Sequence, residues 1–234
     1  MNMAVPESEF WKSRLFVPNY RIREAARYAD IAPQTVSSWH SKPGANEKST
    51  LSTKDKGAAL SYLQLIEVGV VASFRKAGVT LKKIRSAREY LSKELEVEHP
   101  FAQYRFKTDG KELWMDYAQL HAPSDKTLLV ASMGGQLAWT DIIGRLQEFE
   151  YDENTELALK WRVAGVDNSI VIDPRIQFGA PAVEGIATWV FKGRWQAGEP
   201  IDEIADDFGV PNSAVFEALE FEGIKVEGGR RARH

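Results

Sequence analysis

Gln34, Thr35, Ser37, Ser38 and His40 lie close together in a segment that also carries a helical apolar pattern. Short hydrogen-bonding groups of this kind reach base edges and phosphate oxygens when a helix presents them to a groove. Arg21, Arg23 and Arg27 precede them, and Lys42, Lys54 and Lys56 follow. Cations on both sides of a polar helix replace the counterions condensed on a nucleic acid backbone. The chemistry on offer is contact with a polyanion. Bond-making chemistry has no counterpart in the chain. The His residues, at positions 40, 99, 121 and 234, form no i, i+4 ligand pair, and Cys is absent. There is no glycine-rich phosphate loop. Asp152-Glu153 and Asp206-Asp207 read as solvated element ends rather than acid–base pairs. Gly134-Gly135-Gln136 reads as a turn before a helix. The expectation is a protein that is not an enzyme and uses no metal or cofactor.

Positioning those side chains needs two short helices. Ile22, Ala26, Ile31, Val36 and Trp39 are spaced to form the core between crossed helices at about 22–29 and 33–40, the second opened by Pro33. Residues 41–57 are rich in Lys and turn formers, which suits a wing or a mobile loop. From Ala58 to Lys76, Leu60, Leu63, Ile66, Val70 and Phe74 follow helical spacing; Thr80 then opens a helix carrying Leu81, Ile84, Ala87 and Leu91. Residues 1–19 read as a lead-in with Phe10, Trp11, Leu15 and Phe16 as docking points.

Beyond Pro100 the texture changes. Residues 101–106 and 112–117 flank an Asp109-Gly110 turn as a hairpin, with a strand at 127–132 and a helix at 136–147. Strands are expected at 157–163 and 169–172, then helices at about 182–197, 201–208 and 212–221. The fold class is α+β: a mostly α winged helix-turn-helix over 20–96, then a mixed strand and helix domain over 97–227. The latter ends in a second helix-turn-helix-like segment, and residues 228–234 form a basic tail.

Charge separates the two ends. Residues 1–95 hold 16 Lys and Arg against 9 Asp and Glu; residues 96–234 hold 14 against 24. In residues 183–228 the count is 3 against 10, and Glu217, Glu220 and Glu222 sit on the helix that would have to enter a groove. Like charge repels phosphate. The first unit is therefore the reader of nucleic acid, and the second a protein-binding or dimerisation unit. Trp189 and Trp195 are its candidate interface anchors; lying six apart on one helix, they cannot both centre on one face. No apolar run approaches the length of a membrane span, and the first residues lack the pattern of a signal peptide. Together with the absence of Cys this points to the cytoplasm and away from membranes.

Residues 20–91 resemble the winged helix-turn-helix of MerR regulators, through Tyr20-x-Ile22-x-Glu24-Ala-Ala, Pro33-x-Thr35-Val36 and Phe74-Arg75-x-x-Gly78-Val-Thr-Leu-x-x-Ile84. The resemblance implies DNA binding and puts Thr35, Ser37 and Trp39 at the DNA surface. The family usually has Arg where Ser37 stands and an aromatic residue where Ser38 stands. The long dimerising coiled coil that often follows is replaced by Pro100 and a strand-like sequence.

Residues 170–221 resemble domain of unknown function 433, through Ile172-Asp173-Pro174, Phe178-Gly179-x-Pro181, Gly185, Gly198-x-x-Ile201-x-x-Ile204 and Phe208. Where that family often has Thr-Arg after its glycine, this chain has Ile186-Ala187. A MerR-like reader ahead of this domain resembles a VapB-type antitoxin. The resemblance implies a PIN-domain ribonuclease as toxin partner, operator DNA as a second partner, and autorepression by a homodimer. Such toxins hold a divalent metal in a carboxylate cluster, which Arg230, Arg231 and Arg233 on their Gly-Gly hinge are chemically suited to enter. The rival is a plain regulator whose acidic half binds an effector or a second copy.

Overall fold

The computed structural model describes residues 10–41, 49–52, 54, 57–94, 96–102, 147–152, 154–155 and 157–226. They form an α+β protein that divides into two compact units, Met1–Leu159 and Lys160–His234.

The first unit is built around one helix buried nearly all round. Helices α1 (Phe10–Arg14), α2 (Ile22–Tyr28) and α3 (Pro33–Trp39) precede α4 (Tyr62–Lys76), and α5 (Leu81–Glu94) follows. Every residue of α4 from Leu65 to Phe74 is buried, an all-round apolar pattern that only a central helix can satisfy. Ser61 caps it: the hydroxyl accepts from Gln64 N–H at 3.3 Å, and the Gln64 side chain accepts from Ser61 N–H at 2.9 Å. The expected apolar set Leu60, Leu63, Ile66, Val70 and Phe74 is fully buried, as are Ile84, Ala87 and Leu91 of α5. Helix α4 packs on α2, on α5 and on a 3-10 turn at Pro100–Ala102, where Phe101 meets Phe74 edge to face.

The lead-in is more than a tether. Leu15 is buried, and an antiparallel bridge joins Tyr20 to Leu60, with Leu60 N–H donating to Tyr20 O at 2.7 Å. The expected strand at 101–106 begins instead with the 3-10 turn. The rest of that strand, the strands at 112–117 and 127–132, and nearly all of the helix at 136–147 lie outside the described residues.

Strands β1 (Phe149–Asp152) and β2 (Leu157–Trp161) pair as a two-stranded sheet. In the second unit the expected strand at 169–172 reduces to two bridges, Trp161 to Ile172 and Val171 to Ala182. The expected helix at 182–197 begins six residues late. Ala182–Val183 (β3) and Ile186–Ala187 (β4) form a hairpin, with φ of 51° at Glu184 and 80° at Gly185. Two consecutive positive φ values describe a two-residue turn that matches strand twist, so Gly185 is a turn residue and not a helical one. Helix α6 (Thr188–Gln196) follows, then α7 (Ile201–Phe208) and α8 (Asn212–Phe221), at the bounds expected for the last two. Phe191, Ile204, Val215 and Leu219 close their core with Ile170 and Val183.

Candidate nucleic-acid interface and partner surface

Helices α2 and α3 pack against each other through Ala25, Ala26, Val36 and Trp39, all buried. Glu24 fixes the start of α2 by accepting from Arg21 N–H at 2.7 Å. The turn between them is made at Asp30, whose φ of 53° is left-handed. It closes with Ile31 N–H donating to Ala26 O at 3.0 Å, and Lys76 of α4 reaches the Asp30 carboxylate at 3.1 Å. Pro33 then occupies the first turn of α3, where no intrahelical N–H is required.

This arrangement sorts the expected contact residues. Arg21, Arg23, Gln34, Ser37 and Ser38 are exposed, and Thr35 is half-buried. The Ser38 hydroxyl donates to Thr35 O at 2.7 Å, which leaves its lone pairs to accept. Lys54 is half-buried and donates to Ala58 O at 2.8 Å. Lys42 and Lys56 lie outside the described residues.

Trp39 and His40 are corrected. Apolar spacing put Trp39 in the core and family resemblance put it at the DNA surface; it is 2% exposed, so the spacing argument holds. Val36 and Trp39, three apart, share the face that meets α2. His40 turns inward after the helix ends, and its Nδ1–H donates to Ser52 O at 2.7 Å. Burial lowers its pKa below the usual 6.5, outweighing the Ser52 carbonyl, which raises it. The imidazole is thus a neutral strut at the end of α3. Leu51 N–H donates to Trp39 O at 2.8 Å, Gln64 to the Ser52 hydroxyl at 3.0 Å, and Arg85 to the Thr50 hydroxyl at 3.0 Å. Part of the segment expected as wing or loop is therefore a buried splint joining α3 to α4 and α5.

Sequence reasoning missed a buried ionic cluster behind this surface. Glu67 of α4 is fully buried. Arg88 of α5 reaches one of its oxygens at 3.4 Å, and His99 Nδ1 lies 3.0 Å from the other. Arg88 also donates to Glu98 O at 2.5 Å. An acid on an otherwise apolar helix face, with Arg and His downstream, was the available signal.

In the second unit, α7 buries Ile204 and Ala205, with Ile201 and Phe208 packed alongside, and turns Asp202, Glu203, Asp206 and Asp207 outward. Gly209 at φ 65° ends it, and Val210 N–H donates to Ala205 O at 3.0 Å. Of the described acids on and after α8, Glu220 alone is exposed. Glu217 accepts from Ser169 N–H at 2.9 Å; Glu222 accepts from the Thr188 hydroxyl at 2.7 Å and meets Lys192 at 3.6 Å. Buried Asp173 is held by both the backbone N–H (2.8 Å) and the guanidinium (2.7 Å) of Arg175. Arg194 joins Glu199 and Asp207 and lies over the Phe208 ring, and its pKa is raised by those two carboxylates.

The two candidate anchor tryptophans separate as their spacing requires. Trp189 is 62% exposed. Trp195 shares the Phe191 face, is half-buried and packs on the core, so it is withdrawn as a surface anchor. Phe178, which the sequence reading used only as a motif residue, is 67% exposed. Arg230, Arg231 and Arg233 lie outside the described residues. Among the described residues no group of three His, Cys, Asp or Glu stands together as metal ligands, and no helix is long and apolar enough to cross a membrane.

Residues 170–221 match the family described as "Protein of unknown function (DUF433)". The chain is 28% identical over 228 residues to a Mycobacterium tuberculosis protein named "Putative antitoxin VapB45", covering 88% of this chain and 95% of that one. The crystal structure of Rv2018 from the same organism superposes with a TM-score of 0.69 at 25% identity, over 88% of this chain and 99% of that one. The chain is thus similar, over nearly its whole length, to a VapB-like antitoxin.

Proposed function

We propose that this protein is the antitoxin of a toxin–antitoxin pair, with an amino-terminal reader of operator DNA (20–96) and a carboxyl-terminal unit that holds the toxin. The observation that carries the reading is the near full-length similarity to a protein named as an antitoxin. The geometry of the α2–α3 unit supports the DNA half. Gln34, Ser37 and Ser38 are exposed on the second helix, Thr35 lies half-buried beside them, and Arg21 and Arg23 stand exposed at the start of the first. In the MerR-like arrangement proposed here, these polar groups meet base edges while the arginines, with Lys42, Lys54 and Lys56, meet phosphates. Trp39 and His40 then act from behind, by setting the pose of α3. Paired readers on a two-fold operator gain by linkage, so the binding species is a homodimer and the outcome autorepression.

The toxin is a PIN-domain ribonuclease, the usual partner of the VapB type. Arg230, Arg231 and Arg233 enter its carboxylate cluster; deletion of residues 228–234 without loss of inhibition would overturn that part. Two experiments test the whole. Expression of the adjacent reading frame alone should arrest growth, and co-expression of this protein should relieve it. Fluorescence anisotropy with a duplex from the protein's own promoter, repeated across salt concentrations, should give a log–log slope that falls by about 1 for each of Arg21→Ala and Arg23→Ala. A neighbour without toxicity, or a promoter duplex that does not bind, refutes the respective half.

A further inference from the structure

The second unit displays two large aromatic side chains beside one hairpin. Phe178 is the middle residue of a 3-10 turn, Gln177–Gly179, whose φ values are all left-handed: 46°, 55° and 79°. Positive φ at consecutive non-glycine residues carries backbone strain, and such strain concentrates where a surface is used. The Gln177 side chain donates to Gly185 O at 3.1 Å, which ties this turn to the β3–β4 turn. Four residues beyond Gly185, Trp189 stands exposed on the first turn of α6, while its neighbours Thr188 and Phe191 are buried. Thr188 N–H donates to Pro181 O at 2.9 Å, so the helix start and the loop carrying Phe178 are fixed to one another. The two exposed rings are thus held on a braced frame.

The ionic setting of the frame selects the partner. Residues 170–221 contain three basic and nine acidic residues. All three bases have carboxylate partners: Arg175 with Asp173, Lys192 with Glu222, and Arg194 with Glu199 and Asp207. Glu184 in the hairpin turn, and Asp202, Glu203 and Asp206 on α7, are exposed. A surface with exposed acids and projecting aromatic rings complements one that presents cations and flat apolar sites. The RNA track of a ribonuclease has that chemistry, with Lys and Arg for phosphates and stacking places for bases.

We propose that Phe178 and Trp189, with Glu184 exposed in the hairpin turn that Gln177 braces, dock on the RNA-binding track of the partner ribonuclease in the place of bases and phosphates. This rests on the antitoxin reading and names the surface that performs it. The test uses the full-length protein and the purified ribonuclease encoded by the adjacent reading frame, with affinity measured by titration calorimetry. Trp189→Ala is expected to weaken binding at least about 30-fold, the loss that an interface anchor gives. Phe178→Asn should weaken it similarly while leaving thermal stability unchanged or raised, because Asn tolerates the left-handed conformation. Opposite signs on binding and stability separate an interface role from a structural one.

A measurement on the unaltered complex stands apart from any variant: hydrogen exchange over residues 176–192 should slow on binding, and a single-stranded RNA oligonucleotide should compete for the ribonuclease. A ribonuclease that binds both variants as tightly as it binds the unaltered protein, or a complex that leaves 176–192 unprotected, or one that RNA does not disturb, overturns the docking surface and leaves the antitoxin reading standing. Failure of the unaltered protein to bind overturns both.

Discussion

Replacing Glu67 by Ala should destabilise the first unit from within. The carboxylate is fully enclosed, its ion-pair partner Arg88 is 15% exposed, and His99 lies 3.0 Å from its second oxygen. At that depth solvent does little to compensate for a lost partner. Removing one member of a buried pair costs about 3–5 kcal/mol, because the remaining charge is left unpaired. That is a large share of a domain stability of about 5–15 kcal/mol. Glu67→Gln keeps the volume and an acceptor for Arg88, so its cost should be smaller, about 1–3 kcal/mol. The double change Glu67→Leu with Arg88→Leu removes both charges and should come closer to neutral than Glu67→Ala. The assay is hydrogen exchange by mass spectrometry on the peptide spanning α4, which reports the opening of this unit without interference from the other. Promoter binding should fall in the same order as protection. Equal losses below about 1 kcal/mol for Ala and Gln would refute the claim that a buried ion pair fastens α4 to α5.

Three further outcomes follow from the same geometry. Burial lowers the His40 pKa, so the unfolded chain takes up a proton that the folded one resists as pH falls below 6.5; stability of the first unit should be complete above that value and decline beneath it, and thermal melts of His40→Gln should lose part of this slope. Asp30→Gly relieves a left-handed backbone at the cost of an ion pair whose acid is 90% exposed, so a net gain of up to about 1 kcal/mol is expected in urea unfolding, and a loss would show that Lys76 matters more than the turn. Gly209→Ala should cost about 1 kcal/mol by the same measurement, all of it conformational, since nothing stands within 4 Å of an added Cβ.

Periodicity made the helical parts legible. The apolar rows read at 58–76 and 80–91 named residues that are in fact buried, apart from half-buried Leu81, although α4 begins only at Tyr62, and Pro33 marked the start of α3. The hairpin at 182–187 was not legible, because Glu184-Gly185 is a weaker signal than Asn-Gly and the apolar residues around it also fit a helix. The exposed face of α3 was legible in kind but not in detail. A row of polar residues after Pro33 indicates a presented helix, yet whether the last turn faces out depends on what packs behind it. Leu51 and Ser52, drawn from a segment that reads as loop, decide that His40 faces in. The Glu67 cluster needed three elements to meet, and no local pattern encodes such a meeting.

The charge asymmetry overstates the field that a partner of the second unit would meet. Asp173, Glu199, Glu217 and Glu222 are occupied inside the unit by Arg175, Arg194, the Ser169 N–H, and Thr188 with Lys192. Their charges are largely compensated within the fold and hold the loops and helices to one another. The acids left facing outward in the helical part are Asp202, Glu203 and Asp206 on α7 and Glu220 on α8, together with Asp207, which is exposed although it pairs with Arg194. Repulsion from phosphate therefore acts through α7, the first helix of the helix-turn-helix-like pair, rather than through α8. In the basic unit the corresponding first helix, α2, carries Arg23 and Arg27 outward instead. Each unit packs two short helices across a turn with a left-handed residue, Asp30 in one and Gly209 in the other, and the two pairs differ in the sign of charge on the first helix.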